Sequence, residues 1–260
     1  MTQELRSHSR DFVVSLEKGL QVLLCFDRKH AKLSLTEVAR LTGHTPAAAR
    51  RFLRTLEALG YLGTDGKRFW VAPRTLLLAR PYLASRAAPQ VAQPILDKLA
   101  ERTRQSASLG VMLDNEVLII GRSTGRRTLS TGLGIGSRLP VFCSAIGRAV
   151  LSSLPEQEVL ARLSTTTMSP WTPHTVTDIG PAVESVNRCR IQGWAECDEE
   201  LELGVRSIAL PISDPADKTR AAISLSVRAE RMGMEAFRLA HLPAIEEARE
   251  ELIRSRVTFD

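Results

Sequence analysis

The stretch SLTEVARLTGHTPAAARRFLRTLEAL, residues 34–59, decides the fold. It divides at Gly43-His44 into two short helices. Ser34 followed three residues on by Glu37 is a capping box, in which hydroxyl and carboxylate each satisfy an amide at a helix start. Thr45 before Pro46 is a second start, with proline at the first helical position, where its missing N–H costs nothing. Gly60 then closes the second helix.

The periodicity of the second helix separates two faces. At 100° per residue, Ala49, Phe52, Leu53, Leu56 and Leu59 form an apolar stripe that faces a core. The other side carries Ala47, Arg51, Arg54 and Ala58, with Arg50 on its flank. Small residues let a helix approach a surface closely, and arginine forks onto phosphates or guanine edges. This is the layout of a helix-turn-helix recognition helix lying in the major groove over about residues 46–59. A basic face that only meets water is the bland alternative. Against it, residues 61–71 follow as apolar strands around Asp65-Gly66, which predicts a hairpin with a type I′ turn and Lys67 and Arg68 at its tip. The unit is therefore expected to be winged.

Charge supports the division. Residues 1–86 hold 15 Lys and Arg against 7 Asp and Glu, a net of +8, whereas residues 87–260 hold 20 against 22, a net of −2. The basic excess sits in the segment with the two-helix unit, as contact with double-stranded DNA requires. The four cysteines, Cys25, Cys143, Cys189 and Cys197, form no CxxC and no close pair, which argues against a disulfide framework or a zinc site. No apolar run approaches the roughly 20 residues of a membrane span, and the N-terminus lacks the apolar core of a signal peptide. A cytoplasmic protein without metal or cofactor is expected.

In chain order, Met1 to Arg10 is polar, with Arg6 and Arg10 available to a DNA backbone or minor groove and a disordered tail as the alternative. A first helix is predicted from Ser15, its N-cap, to Phe26, burying Leu16, Leu20, Leu23 and Leu24. Pro73 to about Arg86 reads as a linker helix; its leucines suit either packing against a partner subunit or ordinary packing within one chain. Then come a helix from Pro89 to about Gln105, a hairpin of 107–113 with 116–122 around Asp114-Asn115, and a further strand over 127–133.

The glycine-rich 132–140 gives GxGxG rather than a dinucleotide fingerprint, and leads to a helix started by Ser144 whose free amides suit a small carboxylate. Helices over 155–163 and 178–192, the latter capped by Asp178, precede an acidic loop that runs into a strand ending at Ile212. Asp214 to Asp217 turns the chain, 220–227 returns as a strand with Ser224 and Ser226 on one face, and a helix over 234–256 closes the domain. Strands interleaved with helices, without βαβ repetition, indicate an α+β fold around one antiparallel sheet.

Three runs carry a family resemblance: DFVVSLEKGLQVLLCFD, PAAARRFLRTLEALGYL and GWAECDEELELGVRSIALPI. Over nearly its whole length the chain resembles the IclR family of bacterial transcriptional regulators, and most closely the branch controlling aromatic-acid catabolism through the β-ketoadipate pathway (protocatechuate, 4-hydroxybenzoate or catechol genes). The resemblance implies a winged helix-turn-helix domain (1–72), a linker helix (73–88), a GAF-like effector domain (89–260), and homodimers that pair into homotetramers. The DNA-facing set it implies is Ser34, Thr36, Thr45, Ala47, Ala48, Arg50, Arg51, Arg54, Lys67 and Arg68.

The effector set that the resemblance implies is Leu133, Phe142, Ser144, Ala145, Ile146, Cys197, Val205, Ser207, Ser224 and Ser226, for a small organic, aromatic, acid. Inward hydroxyls and helix amides among apolar residues independently suit such a ligand. The chain departs from the family at Cys197, where relatives often carry Asp or Ser. A competing reading makes it an enzyme acting on a small carboxylate, with Cys143 or Cys197 as nucleophile beside His174. A buried cysteine behaving as a small hydrophobe is the simpler account.

Overall fold

Ser34 and Thr45 are extended residues at which helices begin, as their caps predict. In the computed structural model, which describes residues 11–27, 29–85, 87–125, 132–212 and 220–259, they organise the first of two units, Met1–Leu83 and Ala84–Asp260. The first unit runs α1 (Val14–Leu24), β1 (Leu33–Ser34), α2 (Leu35–Thr42), α3 (Pro46–Ala58), β2 (Leu62–Thr64) and β3 (Arg68–Val71), followed by a 3-10 turn (Pro73–Thr75) and α4 (Leu76–Ser85), in whose last turn the unit ends. Its core gathers Val22, Leu33, Val38, Ala49, Leu53, Leu62 and Phe69. Leu53 is wholly buried, and truncating such a leucine costs about 2–5 kcal/mol.

Several details depart from the expectations. Helix α1 starts two residues earlier, with Val13 rather than Ser15 in the cap position, and Leu16, Leu20 and Leu24 are exposed. The face it turns inward is Gly19, Val22 and Leu23, with Phe26 just past its end also packed on the core, and Phe52 of α3 meets the helix at Gly19. Leu59 is also exposed, because the helix ends before it and Gly60 takes positive φ there. The hairpin turn is not type I′. Gly66 alone has positive φ (+91°), and the Asp65 carboxylate accepts the amides of Lys67 and Arg68, replacing a second left-handed residue. β1 joins β3 to make the wing sheet three-stranded, a pairing too short to show as alternation. Arg6 and Arg10 lie outside the described residues.

The second unit comprises α5 (Ala87–Thr103), β4 (Ser106–Leu113), β5 (Glu116–Ser123), β6 (Arg138–Pro140), α6 (Ala145–Ser152), α7 (Glu156–Ser164), α8 (Ile179–Gln192), β7 (Ala195–Asp198), β8 (Val205–Ile212), β9 (Ala221–Arg228) and α9 (Met234–Arg254). The strands form one antiparallel sheet in the order β6-β5-β4-β9-β8-β7. Helices α5 and α9 cover one face. There the sheet is large and apolar, with Ile208, Leu210, Ile223 and Leu225 buried. Helix α6 covers the other face and is itself backed by α8. On that face, by period two, stand the small residues Ser207, Ala209, Ala222, Ser224 and Ser226. Small residues under a helix leave room that leucines would fill, and this positions the site.

Most of the strand expected over 127–133 lies outside the described residues; of its described end, Leu133 belongs to no strand, and β6 pairs with β5. The turn expected at 214–217 also lies outside the described residues. Asp178 occupies the cap position of α8 without a side-chain hydrogen bond to it. Strand β7 emerges from what reads as an acidic loop, because its Cys197 and Asp198 pair with Ser207 and Arg206 of β8.

Candidate functional site

The first unit presents the arginine face of α3 to solvent. Thr36, Thr45, Ala47, Arg50, Arg51 and Arg54 are exposed, as are Lys67 and Arg68 on the wing, while Ala48 is half-buried. The two caps are engaged structurally. The Ser34 hydroxyl donates to Glu37 Oε2 at 2.7 Å, and the Ser34 amide donates to the same oxygen at 2.7 Å, which holds the Glu37 carboxyl below its usual range. Thr45 Oγ1 accepts the Ala48 amide at 3.3 Å. Arg54 is steadied by Glu57 at 2.8 Å and stands 5.9 Å from the Phe69 ring, whereas Arg50 and Arg51 extend from the same exposed face. The β1–β3 pairing brings in a further cation: Lys32 Nζ stands 4.8 Å from the centre of the Trp70 ring. Only the pairing of β1 with the wing places it there.

In the second unit, a cavity of about 40 Å³ opens between the α6 start and the sheet. Nine of the expected effector residues line it: Leu133, Ser144, Ala145, Ile146, Cys197, Val205, Ser207, Ser224 and Ser226. Phe142 does not. It is buried in the core behind α6, and its carbonyl accepts a bond from Arg148 Nε at 3.0 Å. Ser108, Ile119, Leu139, Leu201 and Glu202 line it as well, with no signal in the local sequence pattern that marks them out. Ser108 could have been found from the alternation of β4 once β4 was known to pair with β9, since it stands directly opposite Ser224.

Strand register arranges the polar groups in rows. One row crosses the sheet through Arg122, Ser108 and Ser224; the next runs through Ser106, Ser226, Ser207 and Cys197. Arg122 donates to Ser108 Oγ at 2.7 Å. Partial burial lowers the Arg122 pKa, with the Glu202 carboxylate opposing that shift. Above the rows, Ser144 donates to the Pro140 carbonyl at 2.6 Å and accepts the Gly147 amide at 3.1 Å, leaving the first amides of α6 directed over the cavity. Gly147 permits this approach: a Cβ there would lie 2.5 Å from Val141 Cα.

Arg148 and Glu200 tie two cavity walls together from behind, at 2.6 Å for each of two bonds. Arg148 also donates to the Glu196 carbonyl at 3.0 Å. Burial pulls the arginine pKa down, but the bonds and charge of Glu200 outweigh it and hold the guanidinium protonated. The chemistry on offer is recognition of a small, partly apolar ligand bearing acceptors. Cys197 donates its thiol to the Cys143 carbonyl at 3.2 Å, and burial raises both thiol pKa values, Cys143 to about 12. His174 is exposed while both cysteines are buried, an arrangement opposite to that of an activated thiolate.

These two units coincide with two family descriptions. The IclR helix-turn-helix domain matches residues 15–66, and the C-terminal domain of IclR bacterial transcriptional regulators matches residues 81–252. The chain is 32% identical to the Pca regulon regulatory protein of Pseudomonas putida over 93% of this chain and 84% of that protein. It is 33% identical to the p-hydroxybenzoate hydroxylase transcriptional activator of Acinetobacter baylyi, over 89% of this chain and 86% of the relative. It is also similar to a solved structure from Acinetobacter: the inducer-binding domain of a PobR transcription factor double mutant in complex with 3-hydroxybenzoic acid. The match has 28% identity and a TM-score of 0.59, and covers 64% of this chain and 97% of that one. With a basic helix-turn-helix unit at its N-terminal end and a cavity-bearing α+β domain in its C-terminal part, the chain belongs to the IclR family and is a ligand-responsive, DNA-binding transcriptional regulator.

Proposed function

We propose that the effector is a small aromatic carboxylic acid of the hydroxybenzoate class, bound in the cavity between α6 and the sheet. The observation that carries this reading is the convergence of nine anticipated residues on one cavity whose apolar walls enclose rows of serine hydroxyls. The first amides of α6 and the Arg122 guanidinium supply the positive side that a carboxylate needs. At about 40 Å³ the cavity has room for only a few waters. Effector entry therefore moves the 199–204 segment outward, which gives the ligand a differential affinity for a second state. The relatives' names, which concern p-hydroxybenzoate hydroxylase and the Pca regulon, point to the same ligand class.

The DNA contacts fall to Thr36, Thr45, Ala47, Arg50, Arg51 and Arg54 of the two-helix unit and to Lys67 and Arg68 of the wing. The regulator acts as a homodimer on two half-sites, with tetramers formed by pairing of dimers, and it works in the cytoplasm. It carries out no catalysis of its own. Thermal shift with benzoate, 3- and 4-hydroxybenzoate, protocatechuate, catechol, muconate and pyruvate is expected to single out aromatic acids, because a ligand of the native state raises its stability. Stabilisation by pyruvate alone, or by none of the set, rejects the assignment.

A further inference from the structure

Ser106 is 1% exposed, and among the described residues its Oγ has no hydrogen-bond partner. A buried hydroxyl left without a partner costs stability, so its retention calls for a reason. Its position supplies one. Ser106 stands directly opposite Ser226 in the β4–β9 pairing and two residues before Ser108, so it shares their face of the sheet. Both Ser108 and Ser226 line the cavity under α6. Cross-strand neighbours have Cβ atoms about 5 Å apart, within reach of a single bridging ligand atom. The row continues through Ser207 to Cys197, whose thiol is already committed to the Cys143 carbonyl. Likewise Ser108 already accepts from Arg122. In this polar patch, Ser106 offers both a donor and two acceptor lone pairs.

We propose that Ser106 is a specificity-determining residue of the effector cavity, its hydroxyl hydrogen-bonding a ring hydroxyl of the bound aromatic acid. This rests on the reading of the cavity as an aromatic-acid site. The Arg122–Ser108–Ser224 row lies one side-chain repeat, about 6.8 Å, along the strands from the Ser106–Ser226–Ser207 row. That separation matches the two ends of a hydroxybenzoate, with the carboxylate toward Arg122 and the hydroxyl toward Ser106. Unsubstituted benzoate has nothing to place at Ser106, and a site built to hydrogen-bond a hydroxyl discriminates against the analogue lacking it.

The test is isothermal titration of the full-length protein and its Ser106→Ala and Ser106→Thr variants with benzoate, 3-hydroxybenzoate, 4-hydroxybenzoate and protocatechuate. The expected result is a roughly tenfold loss of affinity in Ser106→Ala for at least one hydroxylated acid, with benzoate affinity unchanged. Ser106→Thr, which keeps the hydroxyl, retains the preference. Without ligand, Ser106→Ala unfolds at a temperature no lower than the parent, since it removes an unsatisfied group. Equal losses for benzoate and the hydroxylated acids, or no change for any of them, overturns the proposal while leaving the aromatic-acid site standing. Failure of all four acids to bind the parent protein overturns that site and this proposal with it.

Discussion

Arg148 grips Glu200 through two hydrogen bonds of 2.6 Å, with 5% and 11% of the respective side chains exposed. The pair joins α6, whose first residues line the cavity, to the segment whose Leu201 and Glu202 line it from another side. Glu200 Oε2 accepts the Val176 amide at 3.3 Å, and Thr175 donates to the Glu200 carbonyl at 2.7 Å. One buried ion pair thereby fixes three separate segments.

Breaking the pair from one side leaves an unpaired buried charge. Arg148→Met or Glu200→Met alone is expected to destabilise the effector unit by about 3–5 kcal/mol, whereas the double change to Met costs much less, because no charge remains to be solvated. Urea denaturation of the four proteins, followed by near-UV circular dichroism, measures the difference. Equal losses for the single and double variants would show that the ion pair is not the source.

DNA affinity should depend on the arginine face of α3. Arg51→Ala and Arg54→Ala should each weaken binding by about 1–3 kcal/mol where the side chain reads a base, with the fold intact. Where a side chain meets phosphate instead, the salt dependence flattens by about one unit per lost contact. Fluorescence anisotropy on the promoter duplex, titrated at several salt concentrations, separates the two. Unchanged binding in both variants would reject this helix as the reader.

At Gly147 the chain has no room for a side chain, since an added Cβ would lie 2.6 Å from the Val141 carbonyl oxygen and 2.5 Å from its Cα. Gly147→Ala should therefore lower the melting temperature of the effector unit, at a cost of about 1–3 kcal/mol from overpacking. It should also weaken the stabilisation given by an aromatic acid, because α6 must back away from the cavity. Differential scanning calorimetry with and without 4-hydroxybenzoate reads both effects.

The thiols should be inert at neutral pH. Burial raises Cys143 from its ordinary value near 9.0 to about 12 and Cys25 to about 11, and raises Cys197 and Cys189 as well. A folded-state thiol pKa above the unfolded value adds stability that is complete below about 9 and is lost as pH rises toward 12. Iodoacetamide at pH 8 is expected to leave Cys143 and Cys197 unmodified in the native protein and to label them after denaturation, as peptide mass spectrometry would show. Rapid native labelling of either would reopen the nucleophile reading.

Elements differ in how far local chemistry fixes them. Caps and glycines are local chemistry, so α2, α3 and the helix that Ser144 begins were legible to within a residue. Helix α1 was not, because two apolar stripes run along it and periodicity does not say which meets α3. The same limit applied at the cavity. Ser207, Ser224 and Ser226 could be anticipated, but Ser108 joins the cavity lining, and Ser106 the serine row beside it, only through their pairing with β9.

The sequence by itself determined the two-unit organisation, the basic reader and its exposed arginines, because charge partition, capping and 3.6-residue periodicity are properties of short segments. The tertiary structure decided what long-range pairing alone can: the bond of Arg122 to Ser108, the grip of Arg148 on Glu200, the displacement of Phe142 from the cavity wall, and the alignment of serines from three strands into rows. Those contacts join residues far apart in the chain. Their geometry is set by strand register and by the close approach of α6 at Gly147, and neither leaves a mark on local composition.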